Sequence, residues 1–316
     1  MMFKAYLITR RWRSIAAAAI LGLAASAAAA QTVASVQPEP VQPQPSAVNV
    51  NLNITPKRLV LDRGNRTGTV YIFNQGNVPA TFDVTVIQRV MLNNGEIRAV
   101  SDTAGDAALQ PLVARLKSAQ EFVRATPRRV TLAPGKGQTV RIRADLPPGI
   151  AQGEYRTHLT VTTIPPRDAG VTAEQASSQR ADQLSFRITS VFGLSIPVIV
   201  RHGAVEAQGR IENARFDEAM ISPDGVAPPV RTGVLRFDMR RTGSGSLFGN
   251  VEVRSKGGRD LLGVQRGIGV YPEIDHRTIQ IPLRRAPKKG EAFDITFTDE
   301  DSGARQVIAR ATLTAS

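Results

Sequence analysis

Leu184-Ser-Phe-Arg-Ile-Thr-Ser-Val-Phe-Gly-Leu-Ser-Ile-Pro-Val-Ile-Val200 is the stretch that decides the fold. Leu184, Phe186, Ile188, Phe192, Leu194, Ile196, Val198 and Val200 fall on every second position, and Ser190 is the one polar member of the row. Successive side chains of a strand point to opposite faces, so a period of two predicts a β-strand with one apolar face. Fully extended, the stretch would reach about 55 Å, whereas an average strand has about five or six residues. A small sandwich does not need that much apolar strand for its own core. Two uses stay open: a long strand buried in its own domain, or an edge offered to another polypeptide.

Working outward, strand follows strand. Leu59-Val-Leu61, Thr69-Val-Tyr-Ile-Phe73 and Ala80-Thr-Phe-Asp-Val-Thr-Val-Ile87 are short and rich in β-branched or aromatic residues. Turn formers such as Asn74-Gln-Gly-Asn77 and Asn93-Asn-Gly95 separate them. Ala107–Ser118 is expected to hold a turn or two of helix. Arg129–Leu132 and Gln138–Arg143 read as strands around Ala133-Pro-Gly-Lys-Gly137; Gly135-Lys-Gly-Gln-Thr139 faintly echoes a phosphate loop, but spacing and following helix are missing. Tyr155–Ile164 alternates cleanly, and the polar run 167–183 reads as a long loop. After residue 201 a second set follows: Val234–Met239, Gly249–Val253, Ile268–Tyr271, Thr278–Ile281, Ala292–Phe297 and Gln306–Leu313. The expected fold is all-β, with two immunoglobulin-like β-sandwich domains at 48–201 and 202–316.

The 316 residues begin with Lys4, Arg10, Arg11 and Arg13, then Ile15–Leu23, then small residues to Ala30. That order reads as a secretory signal over 1–30, cleaved near Ala30. The apolar part is too short to cross about 30 Å of hydrocarbon. A Pro/Gln-rich linker, 31–47, should follow. Losing the four basic residues would lower the net charge from +13 to +9. The remaining cations are scattered with few aromatics between them, which does not fit nucleic acid. No later stretch is long and apolar enough for a membrane span, and there is no cysteine to form disulfides. An exported, periplasmic location is expected.

Chemistry is sparse. His158, His202 and His276 are far apart, without a second ligand at metal-binding spacing, and no serine sits in a Gly-x-Ser-x-Gly elbow. A hydrolase would need a cleft of catalytic carboxylates that no pattern here announces. The residues predict a non-catalytic protein with no metal and no cofactor.

Three segments carry a resemblance: Lys57–Asp62 running into Thr69–Asn74, Pro127–Ile142, and Gly153–Pro166 followed by the loop and the alternating strand. In that order and spacing the chain resembles the periplasmic pilus-assembly chaperones, the PapD-like family, as a divergent member. The resemblance implies two immunoglobulin-like domains with a client cleft between them. It implies secreted pilus-type subunits and an outer-membrane usher as partners. It also implies donation of one strand to fill a groove in the incomplete subunit. The donated side chains would be Phe186, Ile188, Ser190, Phe192 and Leu194, within a donor strand at 184–200. Glu154, Arg201 and Asp301 match an interdomain charge network. Arg58 matches one of two cations that hold a client carboxylate, while Pro197 stands where the second, a lysine, is expected. The alternative class is a non-catalytic envelope adaptor that binds a folded protein or a glycan.

Overall fold

The computed structural model describes residues 51–165, 191–222, 225–258, 260–301 and 303–315. The expected signal (1–30), linker (31–47), loop (167–183) and first part of the donor strand (184–190) lie outside the described residues. All described residues fall within one compact unit, Ala47–Ser316.

Alternation becomes sheet. In the N-terminal half, β1 (Leu52–Thr55), β3 (Thr67–Asn74), β9 (Gly137–Ala144) and β7 (Val123–Thr126) form one sheet in that order. The facing sheet runs β2 (Leu59–Leu61), β11 (Gly193–His202), β10 (Gly153–Ile164), β4 (Ala80–Ile87) and β8 (Arg129–Leu132). Ile54, Val70, Ile72, Val140 and Ile142 of the first sheet meet Phe82, Leu159, Val161, Ile196, Val198 and Val200 of the second. A hairpin of β5 (Arg89–Met91) and β6 (Ile97–Ala99) and a short helix α1 (Gln110–Arg115) project from this sandwich. The Ala133–Lys136 segment closes with the Lys136 amide donating to the Ala133 carbonyl (3.1 Å). Pro134 followed by Gly135 at φ +66° is the signature of a type II turn, so the phosphate-loop echo is a hairpin corner.

The C-terminal half packs β12 (Gly209–Ile221), β13 (Val230–Arg241) and β16 (His276–Pro282) against β15 (Leu261–Val270), β14 (Leu247–Ser255), β17 (Ala292–Asp299) and β18 (Val307–Thr314). Leu235, Phe237, Ile279 and Ile281 face Val251, Val253, Phe293, Ile295 and Phe297. The chain is thus all-β, with two immunoglobulin-like sandwiches. The 13-residue β12 has no counterpart in the pattern read from sequence. A bulge between Glu212 and Arg215, with Asn213 at φ +53°, shifts its alternation from Ile211 to Ala214 and Phe216.

The two cores touch. Met91 and Ile199, from the first half, belong to the second hydrophobic cluster, where Val60, Ile97 and Leu112 pack against it. Ile199 is fully buried. Ile199→Ala should therefore lower stability by about 2–5 kcal/mol. The loss should appear as faster amide exchange in β13 and β14 as well as in β10.

Candidate functional site

The candidate donor strand is described from Val191 onward, and β11 begins at Gly193. Phe186, Ile188 and Ser190 lie outside the described residues. Along the apolar row, exposure falls from 52% at Phe192 and 37% at Leu194 to 3% at Ile196 and 0% at Val198 and Val200. Read toward the N-terminus, the row leaves its own core beyond Ile196, at Leu194.

Its backbone edge opens over the same span. The Thr163 amide donates to the Phe192 carbonyl (2.8 Å), which sets the phase of the β10–β11 ladder. The register is unbroken from Gly153↔His202 to Thr162↔Gly193. Even-numbered backbone groups of β11 therefore face β10, and odd-numbered ones face the other edge. There β2 pairs with Val198, Ile199 and Val200 only. Among the described residues, no strand pairs with Gly193, Ser195 or Pro197 on that edge. Pro197 lacks an N–H where none is needed for β10, as proline in an edge strand requires.

Below this edge the two sandwiches meet through charge. Arg201 donates to Glu154 (3.0 Å) and to Asp301 (2.7 Å). Glu154 also accepts the Ser246 amide (3.1 Å). The fold thus brings Glu154, Arg201 and Asp301 together across the interface. Burial works against the Arg201 charge, but Glu154 and Asp301 outweigh it and hold the guanidinium pKa above its ordinary value.

Arg58 joins the same interface. It grips Asp301 through Nε (3.0 Å) and Nη2 (2.8 Å), and Nη2 also donates to the Ser246 hydroxyl (3.0 Å). Its side chain is 7% exposed and lies 4.6 Å from the Phe248 ring centre. A guanidinium held this way is a fourth member of the interdomain network.

A second cluster went unread in the sequence. Arg156, fully buried, pairs with the equally buried Glu273 and donates to the Arg89 carbonyl (3.0 Å). Its guanidinium lies 4.1 Å from the Tyr271 ring centre. Glu273 also accepts the Met91 amide (2.8 Å). The available signal was Glu154-x-Arg156-x-His158, three ionisable groups on one face of a strand whose other face carries Tyr155, Leu159 and Val161. His158 sits beside Arg156, whose Nη1 is 3.4 Å from each ring nitrogen. Burial first, then Arg156, Arg89 and Arg58, hold the His158 pKa well below the usual imidazole value. The hairpin adds polar ties: Asn93 donates to the His276 carbonyl (3.1 Å) and accepts the Thr278 amide (2.7 Å). Among the described residues, no helix is long and apolar enough to cross a membrane.

No family model matches the sequence, and no curated protein matches it. Solved structures are similar to it. One is the Pseudomonas aeruginosa CupB2 chaperone, 13% identical, covering 84% of this chain and 100% of that one, TM-score 0.41. Another is the E. coli chaperone DraB, 11% identical, covering 84% and 97%, TM-score 0.42. A third is the CsuC–CsuE chaperone–tip adhesion subunit pre-assembly complex from archaic chaperone-usher Csu pili of Acinetobacter baumannii, 10% identical, covering 84% and 99%, TM-score 0.41.

Two outcomes follow from the buried charges. Glu273→Gln leaves Arg156 buried without a counter-charge and should cost about 3–5 kcal/mol in urea denaturation. Replacing both partners with apolar residues of similar size should be far milder. For His158, folded and unfolded chains are both neutral above about pH 6.5, so it adds no pH dependence there. Below that, the unfolded chain takes the proton first and stability falls with pH. Urea midpoints measured from pH 7 to 5 should drop for the wild type and drop less for His158→Gln.

Proposed function

We propose that this chain is a periplasmic chaperone for incomplete β-subunits of the pilus type, which it binds by strand addition. The observation that carries this reading is the edge of β11 from Gly193 to Pro197, unpaired among the described residues, together with the apolar row that leaves its own core at Leu194 and Phe192. An open edge with exposed apolar side chains invites pairing with another chain, so proteins ordinarily blunt or cover such edges. The contrast lies within this molecule. Edge strand β12 carries Arg210, Glu212, Arg215, Asp217 and Glu218 and a bulge. The upper half of β11 carries no charge.

In the proposed mechanism, a subunit lacking its own last strand pairs with the free N–H and C=O groups of Gly193 and Ser195. Phe192 and Leu194 enter the subunit's groove, and Phe186, Ile188 and Ser190, the earlier members of the same sequence row, complete the proposed donated set. Main-chain bonds supply general affinity, and alternate side chains supply selectivity. The chaperone then delivers its cargo to an outer-membrane usher. Nothing in this sequence of events requires bond chemistry or a cofactor.

Phe192→Glu combined with Leu194→Glu tests the reading by periplasmic co-purification with a secreted β-subunit that aggregates alone. Both positions are exposed, so the fold should change by less than about 0.5 kcal/mol, while the subunit should be lost from the complex. Retention of the subunit by the double variant would contradict strand addition. Capture only of an already folded partner, indifferent to the change, would point to an adaptor.

A further inference from the structure

The open half of β11 is held by something other than its own core. From Ile196 onward the apolar row is buried, whereas Leu194 and Phe192 are exposed and Gly193 has no side chain to bury. Among the described residues, the ladder to β10 is the only strand pairing of this half. β10 adds two side-chain ties to it. The Phe192 amide donates to the Thr163 hydroxyl (2.9 Å), while the Thr163 amide donates to the Phe192 carbonyl (2.8 Å). A regular antiparallel pair would send the Phe192 amide to the Thr163 carbonyl. Here the hydroxyl takes the bond, one step beyond the last ladder pair, Thr162↔Gly193. Three positions along, the hydroxyls of Thr160 and Ser195, partners in the register, lie 2.9 Å apart. Thr160 and Thr163 are both buried. Opposite the buried half of β11 the same residue type turns elsewhere: Thr157, the partner of Val198, donates its hydroxyl to the Ile87 carbonyl on β4 (2.9 Å). Of these three threonines, the two that reach β11 stand where burial no longer holds it.

We infer that Thr163 and Thr160 are positioning residues for strand addition, which hold Phe192 and Ser195 in the extended geometry that an added segment pairs with. The inference rests on the strand-addition reading and deepens it by naming what readies the edge. An incoming strand needs the N–H and C=O groups of Gly193 and Ser195 aligned along one edge. A half-strand with one ladder and little burial samples many backbone conformations, and ordering each residue at the moment of binding subtracts from affinity. The two ties bracket Gly193, the residue type with the greatest backbone freedom. Neither threonine lies on the open edge, because β10 flanks β11 on the opposite side. Their effect on a partner passes through β11 alone.

Thr163→Val and Thr160→Val each remove one hydroxyl from the full mature chain, and Thr163→Ser keeps it. Two measurements are made on each variant: amide exchange along β10 and β11, and the rates of binding to an incomplete β-subunit freshly diluted from urea onto immobilised chain. Thr163→Val should speed exchange of the Phe192 amide about tenfold or more while the Ile196 amide is unchanged. Both valine variants should bind the subunit about threefold to tenfold more weakly, the effect of one net hydrogen bond. That loss should fall on association, because it lowers the fraction of chains with a ready edge. Dissociation should be unchanged, since the added strand itself holds the edge in the complex. Thr163→Ser should restore both the exchange and the association rate. An unchanged Phe192 amide in Thr163→Val, its bond having passed to the Thr163 carbonyl, would overturn the inference. So would an affinity loss lying in dissociation, or faster exchange throughout β10 and β11 alike, which marks an ordinary structural role. Failure of the wild type to associate would overturn strand addition and the positioning role together. Association by the wild type that neither valine variant alters would overturn the positioning role alone.

Discussion

One strand, Gly193–His202, is common to both cores, to the interdomain charges and to the edge left unpaired among the described residues. On one face Ile196, Val198 and Val200 close the first core; on the other Ile199 enters the second core and Arg201 joins the interdomain charges. One edge is paired with β10 along its length, the other with β2 over three residues. The strand is thus fixed firmly at its C-terminal half and open at its N-terminal half. An edge proposed to receive another chain must hold its geometry beforehand, so its own strand must not fray. Rigid anchoring below the opening meets that requirement.

The anchoring is electrostatic as well as apolar. Two clusters, Glu154–Arg201–Asp301–Arg58 and Arg156–Glu273, tie the sandwiches through residues that burial makes expensive to leave unpaired. Such pairs add modest net stability against an apolar alternative, but they accept one arrangement and penalise others. Asp301 and Glu273 must meet specific arginines on β10, β11 and the segment before β2. The angle between the sandwiches, and with it the cleft beneath the free edge, is set by that matching.

Much of this was legible in the sequence, for reasons that differ by element. Strand β4 was readable residue for residue because Phe82, Val84 and their neighbours alternate without interruption. The type II turn at Ala133–Lys136 was readable from Pro134-Gly135 alone. Strand β12 was not, because a bulge changes the phase of its apolar residues and both faces carry charge. The hairpin β5–β6 was visible only as its Asn93-Asn-Gly95 turn, since three residues a side are too few for periodicity. Among site residues, Glu154, Arg201 and Asp301 came from resemblance, and they do meet in the fold. Arg156 was overlooked on the same strand, and Glu273 had no local signal, because a buried partner 117 residues away leaves no trace in spacing. The contact of Arg58 with Asp301 was not legible, because it depends on how the two sandwiches sit together.

Backbone amide exchange at β11 tests the central claim most directly. In the chain alone, the Gly193 and Ser195 amides should exchange quickly while those of Leu194 and Ile196, bonded to β10, are protected. On addition of a β-subunit lacking its last strand, Gly193 and Ser195 should become protected and the other two should change little. Protection of Gly193 and Ser195 already in the isolated chain, or fast exchange that persists in a complex with the subunit, would contradict the account.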